Sequence, residues 1–387
     1  MRQPHFRITD RQLQEHAAAF LQTQLKLQPG KRRASLDVLY RVLLYAASWC
    51  TSLSHACSQL RGAPSHETIR QALLNQLPGP DELQRRLNRL LATSFKQLRR
   101  RWQRGYPVAV DLTPHPYYGQ DTDSPYVCRG KFKAGTHYFL TYATAYLVLY
   151  GQRYTLALTP VRRHDKIEEV LKHLLRQVQK TSLHIRYVLL DRGFYKVQVI
   201  RYLQAARYPF LMPLIGRGKK PAGGTRRFTT RTSSGWFRYQ LQDRSGTKAT
   251  VSVCVHCRNH AGRKGKHGRY AWAYAYWGLR PGSYRWVSQT YRSRFGIESS
   301  YRQLNQGRAR TSSRNVSLRL LYAGVALVLR NLWVWWHWEV LAEGQGRRRR
   351  LHLEVLTLQA LLERIAQACL EALGGLRELQ TPRPVPV

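Results

Sequence analysis

Acidic residues are so scarce in this 387-residue chain that each can be followed singly: 64 Lys and Arg stand against 21 Asp and Glu. Nine acids lie between Asp111 and Glu298 inclusive: Asp111, Asp121, Asp123, Asp165, Glu168, Glu169, Asp191, Asp243 and Glu298. Most have structural explanations. Asp121 and Asp123 stand in a polar loop; Asp165, Glu168 and Glu169 suit the start of a helix, where anions oppose the dipole; Asp243 opens the turn Asp243-Arg244-Ser245-Gly246. Asp111, Asp191 and Glu298 remain. The first two each end an apolar run that reads as a strand, the place where open α/β sheets hold their ligands, and Glu298 lies in a helical pattern. Together they form a hard oxygen donor set suited to two Mg²⁺ ions, with Mn²⁺ able to substitute. Such a pair, ~3.5–4 Å apart, activates a water or a 3′-hydroxyl for in-line attack at phosphorus and stabilises the leaving oxygen. The plainer alternative makes the aspartates turn formers and pairs Glu298 with Arg294 one helical turn earlier.

The charge balance weighs toward the first reading. A formal charge of +43 implies a polyanionic partner, and 43% hydrophobic residues exclude a disordered basic tail. With 50 Arg against 14 Lys, bidentate phosphate contact and salt-sensitive binding to a nucleic-acid backbone are expected. The run from Leu320 to Val340 is interrupted by Arg330, Asn331, His337 and Glu339, so it reads as a buried helix and not a bilayer span, and no membrane partner is expected. Six scattered cysteines form no disulfide framework and fit a reducing cytoplasm. Cys254, His256 and Cys257, with His260 and His267 beyond, suggest zinc only weakly, because in a strand Cys254 and Cys257 face opposite ways. Trp236, Trp272, Trp277 and Trp286 alternate with Arg and Tyr; core packing is their first explanation and base stacking the second.

The elements that must position the three acids follow from periodicity. Val108 to Val110 is a short strand ending in Asp111; residues 137–149 and 153–160 are two more strands; a helix runs to about Lys180. Ile185 to Leu190 is a fourth strand ending in Asp191, followed by a helix over 195–206 and a strand over 209–214. Three strands, helix, strand, helix, strand is the order of a ribonuclease H-like α/β core. Residues 1–104 form a helical DNA-binding region, in which a helix over 53–60, a Gly62-Ala63-Pro64 turn and a Ser65-capped helix over 66–76 spell either a helix-turn-helix or a plain bundle. On the outer side of that second helix stand His66, Thr68, Arg70 and Gln71. Residues 105–215 form the first part of the core, 216–286 an inserted β-rich subdomain, and 287–341, where helical periodicity resumes, the active-site helix carrying Glu298 and C-terminal core helices. Residues 342–387 form a basic linker with a last helix over 353–373.

Tyr291, Arg294, Glu298 and Asn305 fall at i, i+3, i+7 and i+14, on one helix face. Here the sequence resembles the DDE transposases of prokaryotic insertion sequences that carry a Tyr-x2-Arg-x3-Glu-x6-Lys signature, particularly their halobacterial-type branch. The resemblance spans about Val108 to Trp333. It rests on Val108-Ala109-Val110-Asp111 with Tyr117-Tyr118-Gly119, Leu189-Leu190-Asp191-Arg192-Gly193-Phe194-Tyr195, Tyr291 through Glu298 with Tyr301-Arg302, and Leu329-Arg330-Asn331-Leu332-Trp333. It implies that Asp111, Asp191 and Glu298 are the catalytic, metal-holding triad and that Tyr291 and Arg294 contact DNA phosphate. The signature lysine falls on Asn305, whose neutral amide supplies no cation, so Arg302 or Arg308 is left to do so or the copy is weakened. The implied protein cuts at the terminal inverted repeats of its own element and joins the 3′-OH to target DNA. It does so as a homodimer in a synaptic complex, in the nucleoid-bearing cytoplasm of a prokaryote. A non-catalytic DNA-binding descendant and a ribonuclease H-like nuclease are the alternatives.

Overall fold

The structure, a computed structural model, describes residues 8–27, 35–99, 105–119, 124–149, 152–218, 223–259, 269–294, 306–343 and 350–377. The chain parts into two compact units, Arg99–Ser299 and a second made of Met1–Leu98 with Ser300–Val387. The expected 287–341 segment is thereby divided between them.

The first unit is built on a sheet. Its elements are β1 (Tyr106–Pro116), β2 (Val127–Lys133), β3 (Thr136–Val148), β4 (Arg153–Pro160), a helix at Ile167–Gln179, β5 (Ile185–Leu190), a helix at Val197–Ala205 and β6 (Phe210–Pro213). A one-turn helix at Arg226–Thr229 follows, then β7 (Gly235–Gln242), β8 (Lys248–Asn259), β9 (Arg269–Trp277) and a helix at Tyr284–Ser293. The described strands share one mixed sheet in the order β2-β3-β1-β5-β6-β9-β8-β7, with β4 also on β3. β1 takes one edge of β3, while β2 and β4 take successive stretches of the other. The path β4-β3-β1-β5-β6, antiparallel up to β1 and parallel from β1 to β6, is the expected ribonuclease H-like core. Val108, Ala109, Val110, Val188, Leu189 and Leu190 are fully buried, as the near-continuous apolar runs of parallel strands require. The helix at Ile167–Gln179 covers β3 and β4 with Val170, Leu171, Leu174, Leu175 and Val178 along one stripe.

Two features depart from the sequence reading. β2 was not foreseen; it is joined to β3 through Ala134 and Gly135, both at positive φ, the two-residue turn that matches strand twist. The strands within 216–286 do not stand apart as a subdomain, because β9 pairs antiparallel with β6 and they prolong the core sheet. Cys254 is buried within that sheet and His256 Nδ1 lies 2.8 Å from the Ser288 hydroxyl; His260 and His267 fall outside the described residues.

The second unit is helical. In chain order its described helices are α1 (Asp10–Leu25), α2 (Leu36–Ser48), α3 (Leu53–Gln59), α4 (His66–Gln76), α5 (Pro80–Arg99), α6 (Val316–Glu339) and α7 (Leu358–Ala372). Polar side chains set where they begin: the hydroxyl or amide oxygens of Thr9, Ser35, Ser52, Ser65, Asn315 and Thr357 each accept a first-turn backbone N–H. Thr357 explains why the last helix starts later than its apolar pattern. α6 is long and apolar enough to cross a membrane by composition, yet 89% of its apolar window is buried inside the protein. Its polar end is latched, since Trp333 Nε1 and His337 Nε2 both donate to the Leu356 carbonyl at 2.7 Å. The helical pattern expected to run from Val287 to Leu341 is interrupted. Residues 308–315 are non-helical, with the Arg310 N–H bonded to the Thr51 carbonyl and Asn315 capping a new start.

Candidate active site

Strand register brings the two aspartates together. In the parallel β1–β5 pair Val108 lies opposite Val188, Ala109 opposite Leu189 and Val110 opposite Leu190, so Asp111 and Asp191 are the next residues on adjacent strands. In-register neighbours of a sheet project to the same face, ~4.8 Å apart at their backbones. β1 continues as far as Pro116 on the support of β3, where Asp111 faces Thr144, whereas β5 ends and Asp191 leads into a tight turn at Arg192–Phe194. Asp111 is therefore held in the sheet and largely buried, its side chain 11% exposed, while Asp191, at 45%, opens to solvent.

A single guanidinium joins them. Arg294 ends the helix at Tyr284–Ser293, which Ser283 caps by accepting the Trp286 N–H. Its Nη2 lies 3.5 Å from Asp111 Oδ1, its Nη1 3.5 Å from Asp191 Oδ1, and Nη1 also donates to the Tyr291 hydroxyl at 2.7 Å. Arg294 and Tyr291 are buried at 5% and 2% exposure. Burial presses the Arg294 charge down, but Tyr291, Asp111, Tyr146 and Asp191 together hold it above its ordinary value. Burial likewise pushes the Tyr291 phenol up, against the pull of Arg294. Asp111 Oδ1 accepts the Leu112 N–H at 2.8 Å, which fixes the carboxylate.

Arg153 completes the scaffold and was not singled out from sequence. From β4 it donates through Nη2 to the Arg294 carbonyl at 2.6 Å, and its guanidinium sits 4.3 Å from the centre of the Tyr146 ring. A cation at a helix C-terminus meets the negative end of the dipole, so Arg153 anchors the turn that aims Arg294 at the aspartates. A buried arginine inside a strand was its only sequence signal, indistinguishable there from many surface arginines.

The remaining expected residues are placed as follows. Tyr291 and Arg294 turn their polar atoms toward each other and the aspartates, not toward an open surface. Arg308 is half-buried in the helical unit, where its backbone hydrogen-bonds Cys50. Glu298, Arg302 and Asn305 lie outside the described residues. Among the described residues no group of three or more His, Cys, Asp or Glu converges.

The donor chemistry fits divalent cations. Two carboxylates from neighbouring strands converge on the width of one guanidinium, and the site already concentrates positive charge between them. Acidic strand ends on a ribonuclease H-like sheet, in a strongly cationic chain, are an arrangement whose chemistry suits phosphoryl transfer. Residues 102–332 match the model of the transposase DDE domain family, and the chain belongs to that family. Among solved structures it is similar to the piggyBac transposase in its synaptic complex with hairpin DNA, at 10% identity and a TM-score of 0.55, covering 94% of this chain and 80% of that one; the likeness shows the fold. A comparison with curated proteins gives no match.

Proposed function

We propose that this transposase cleaves DNA at the ends of its own element and joins the freed 3′-OH to target DNA, with Asp111, Asp191 and Glu298 as its catalytic carboxylates. The observation that carries the reading is the convergence of Asp111 and Asp191 from in-register parallel strands on one buried cation. DDE transposases generally use divalent metals, and here the three carboxylates would hold two Mg²⁺ ions. When bound, these supply activation of a water or 3′-hydroxyl and stabilisation of the leaving oxygen. The chain's own contribution is positional. Leu112 fixes Asp111, Arg294 bridges Asp111 and Asp191, and Arg153 with Tyr146 holds Arg294. With the aspartates holding metal, Arg294 would be released from them to meet a DNA phosphate, which reconciles its buried position with the phosphate contact that the Tyr-Arg-Glu-Lys resemblance implies.

In this reading α4, with His66 and Gln71 exposed, belongs to the part of the protein that recognises terminal inverted repeats. Two copies hold both ends in a synaptic complex in the cytoplasm of a prokaryote. The test is nicking of supercoiled plasmid bearing the flanks of the gene. Mg²⁺-dependent nicking that disappears in Asp111→Asn, followed by covalent capture of a labelled 3′-OH oligonucleotide, supports the reading. Binding without cleavage in the wild-type protein refutes it in favour of a non-catalytic DNA-binding protein, and nicking without capture in favour of a nuclease.

A further inference from the structure

A second cationic site lies at the far end of the same sheet. A cleft of about 1000 Å³ opens between the helix at Val197–Ala205 and the strands β7 and β8, lined by Arg201, Gln204, Arg238, Gln240, Lys248 and Trp277 among others. Alternation produces it: along β7 the even-numbered residues Trp236, Arg238, Gln240 and Gln242 are exposed. Across the β7–β8 ladder Arg238 stands opposite Ser252, Gln240 opposite Thr250 and Gln242 opposite Lys248, so the turn end of this face is polar and cationic. No acidic residue lines the cleft among the described residues, and Arg201, Arg238 and Lys248 have no ion pair among them. Asp243, in the adjoining turn, is occupied by that turn, accepting from the Ser245 N–H, the Ser245 hydroxyl and the Thr247 N–H.

The walls are fixed before any ligand arrives. Gln198 Nε2 donates to Asp243 Oδ2 at 2.8 Å and Gln204 Nε2 to the Thr250 carbonyl at 2.7 Å, two amide links that tie the helix to the turn end of the strand pair. Three cations and a glutamine amide held on opposed, preorganised walls suit an extended polyanion better than a single small anion, which one arginine fork would hold. Counting strands at ~4.8 Å each from β5, which runs into Asp191, to β8 and β7 places the cleft about 14–19 Å from the nearer aspartate, beyond reach of the reacting phosphate.

We infer that this cleft grips the phosphate backbone of duplex DNA away from the cleaved bond, adding affinity without reading sequence. The inference rests on the proposed action on DNA, but its test reads equilibrium binding without metal. The probe is a generic duplex of about 30 base pairs, titrated over a range of KCl with the full chain, the triple variant R201A/R238A/K248A and a control triple, R186A/R207A/R280A, of exposed arginines outside the cleft lining. Each lost phosphate contact lowers the slope of log K against log salt by about 0.9, so the cleft triple should lose about 2–3 units of slope and on the order of 100-fold affinity near 0.15 M salt. R201K/R238K, which keeps the charges, should retain the slope. A cleft triple that changes the slope no more than the control triple overturns the inference, as does displacement of the duplex by about 1 mM inorganic phosphate, which would mark a small-anion site. Absent nicking with an intact slope difference would sink the proposed function and leave the cleft standing.

Discussion

Replacing Arg294 by Gln removes the charge between Asp111 and Asp191 and leaves a shorter, neutral amide. At an effective dielectric of about 20, a charge pair 3.5 Å apart is worth roughly 5 kcal/mol before solvation is counted. The buried guanidinium gives several kcal/mol of that back in lost hydration, so the net worth of the triad is far smaller than two such pairs. Removing one partner from a buried pair nevertheless costs about 3–5 kcal/mol, because the other charge is left in place. Asp191 is nearly half exposed and its share is screened, so a loss near the lower end, about 3 kcal/mol, is expected in EDTA. Mg²⁺ should reverse much of it. A ligand at a hundred times its dissociation constant stabilises by about 2.7 kcal/mol, and in the variant it has no guanidinium to displace. Urea unfolding with and without excess Mg²⁺ measures both quantities. Equal midpoints for wild type and variant in EDTA, or equal stabilisation of both by Mg²⁺, would refute the idea that Arg294 holds the place of a metal.

Arg153→Leu should destabilise the sheet unit by about 2–3 kcal/mol, from a charged hydrogen bond to the Arg294 carbonyl and a cation–π contact with Tyr146. It should also lower the Mg²⁺ concentration needed for half-maximal nicking, because a loosened Arg294 competes less with metal for the aspartates, a shift that a purely structural residue would not cause. Burial holds the imidazoles of His16 and His337 below their ordinary value, so both are neutral when folded near pH 7. As pH falls through about 6.5 the unfolded chain takes up protons that the folded chain refuses, and stability declines until the lower folded value is passed. Thermal unfolding followed between pH 7 and the onset of carboxylate protonation should show this decline, and H16F/H337Q should flatten it. Glu67, held down to about 2 by hydrogen bonds from Arg70 and Gln71, and Glu82, held down to about 2 by those from Arg85 and Arg86, act in a separate window that opens only below the ordinary glutamate range.

What the sequence determined by itself was chemistry and local order. The scarcity of acids isolated Asp111, Asp191 and Glu298, and the apolar runs before the two aspartates marked strands, because a strand buried on both faces has no polar alternation to confuse it. Helix starts were legible wherever a Ser, Thr or Asn could cap them, since a cap is a contact within four residues. Long-range decisions were not legible. Nothing local sets Val110 opposite Leu190, yet that pairing alone brings the aspartates side by side. Nor does any nearby residue show that β9 prolongs the core sheet through β6, that residues 308–315 leave the helix to bond Thr51, or that Arg153 reaches the Arg294 carbonyl across 141 positions of chain. Those contacts form only when distant segments bury surface together, so tertiary packing decided which of many arginines became the counterion of the site and which stayed in solvent for DNA.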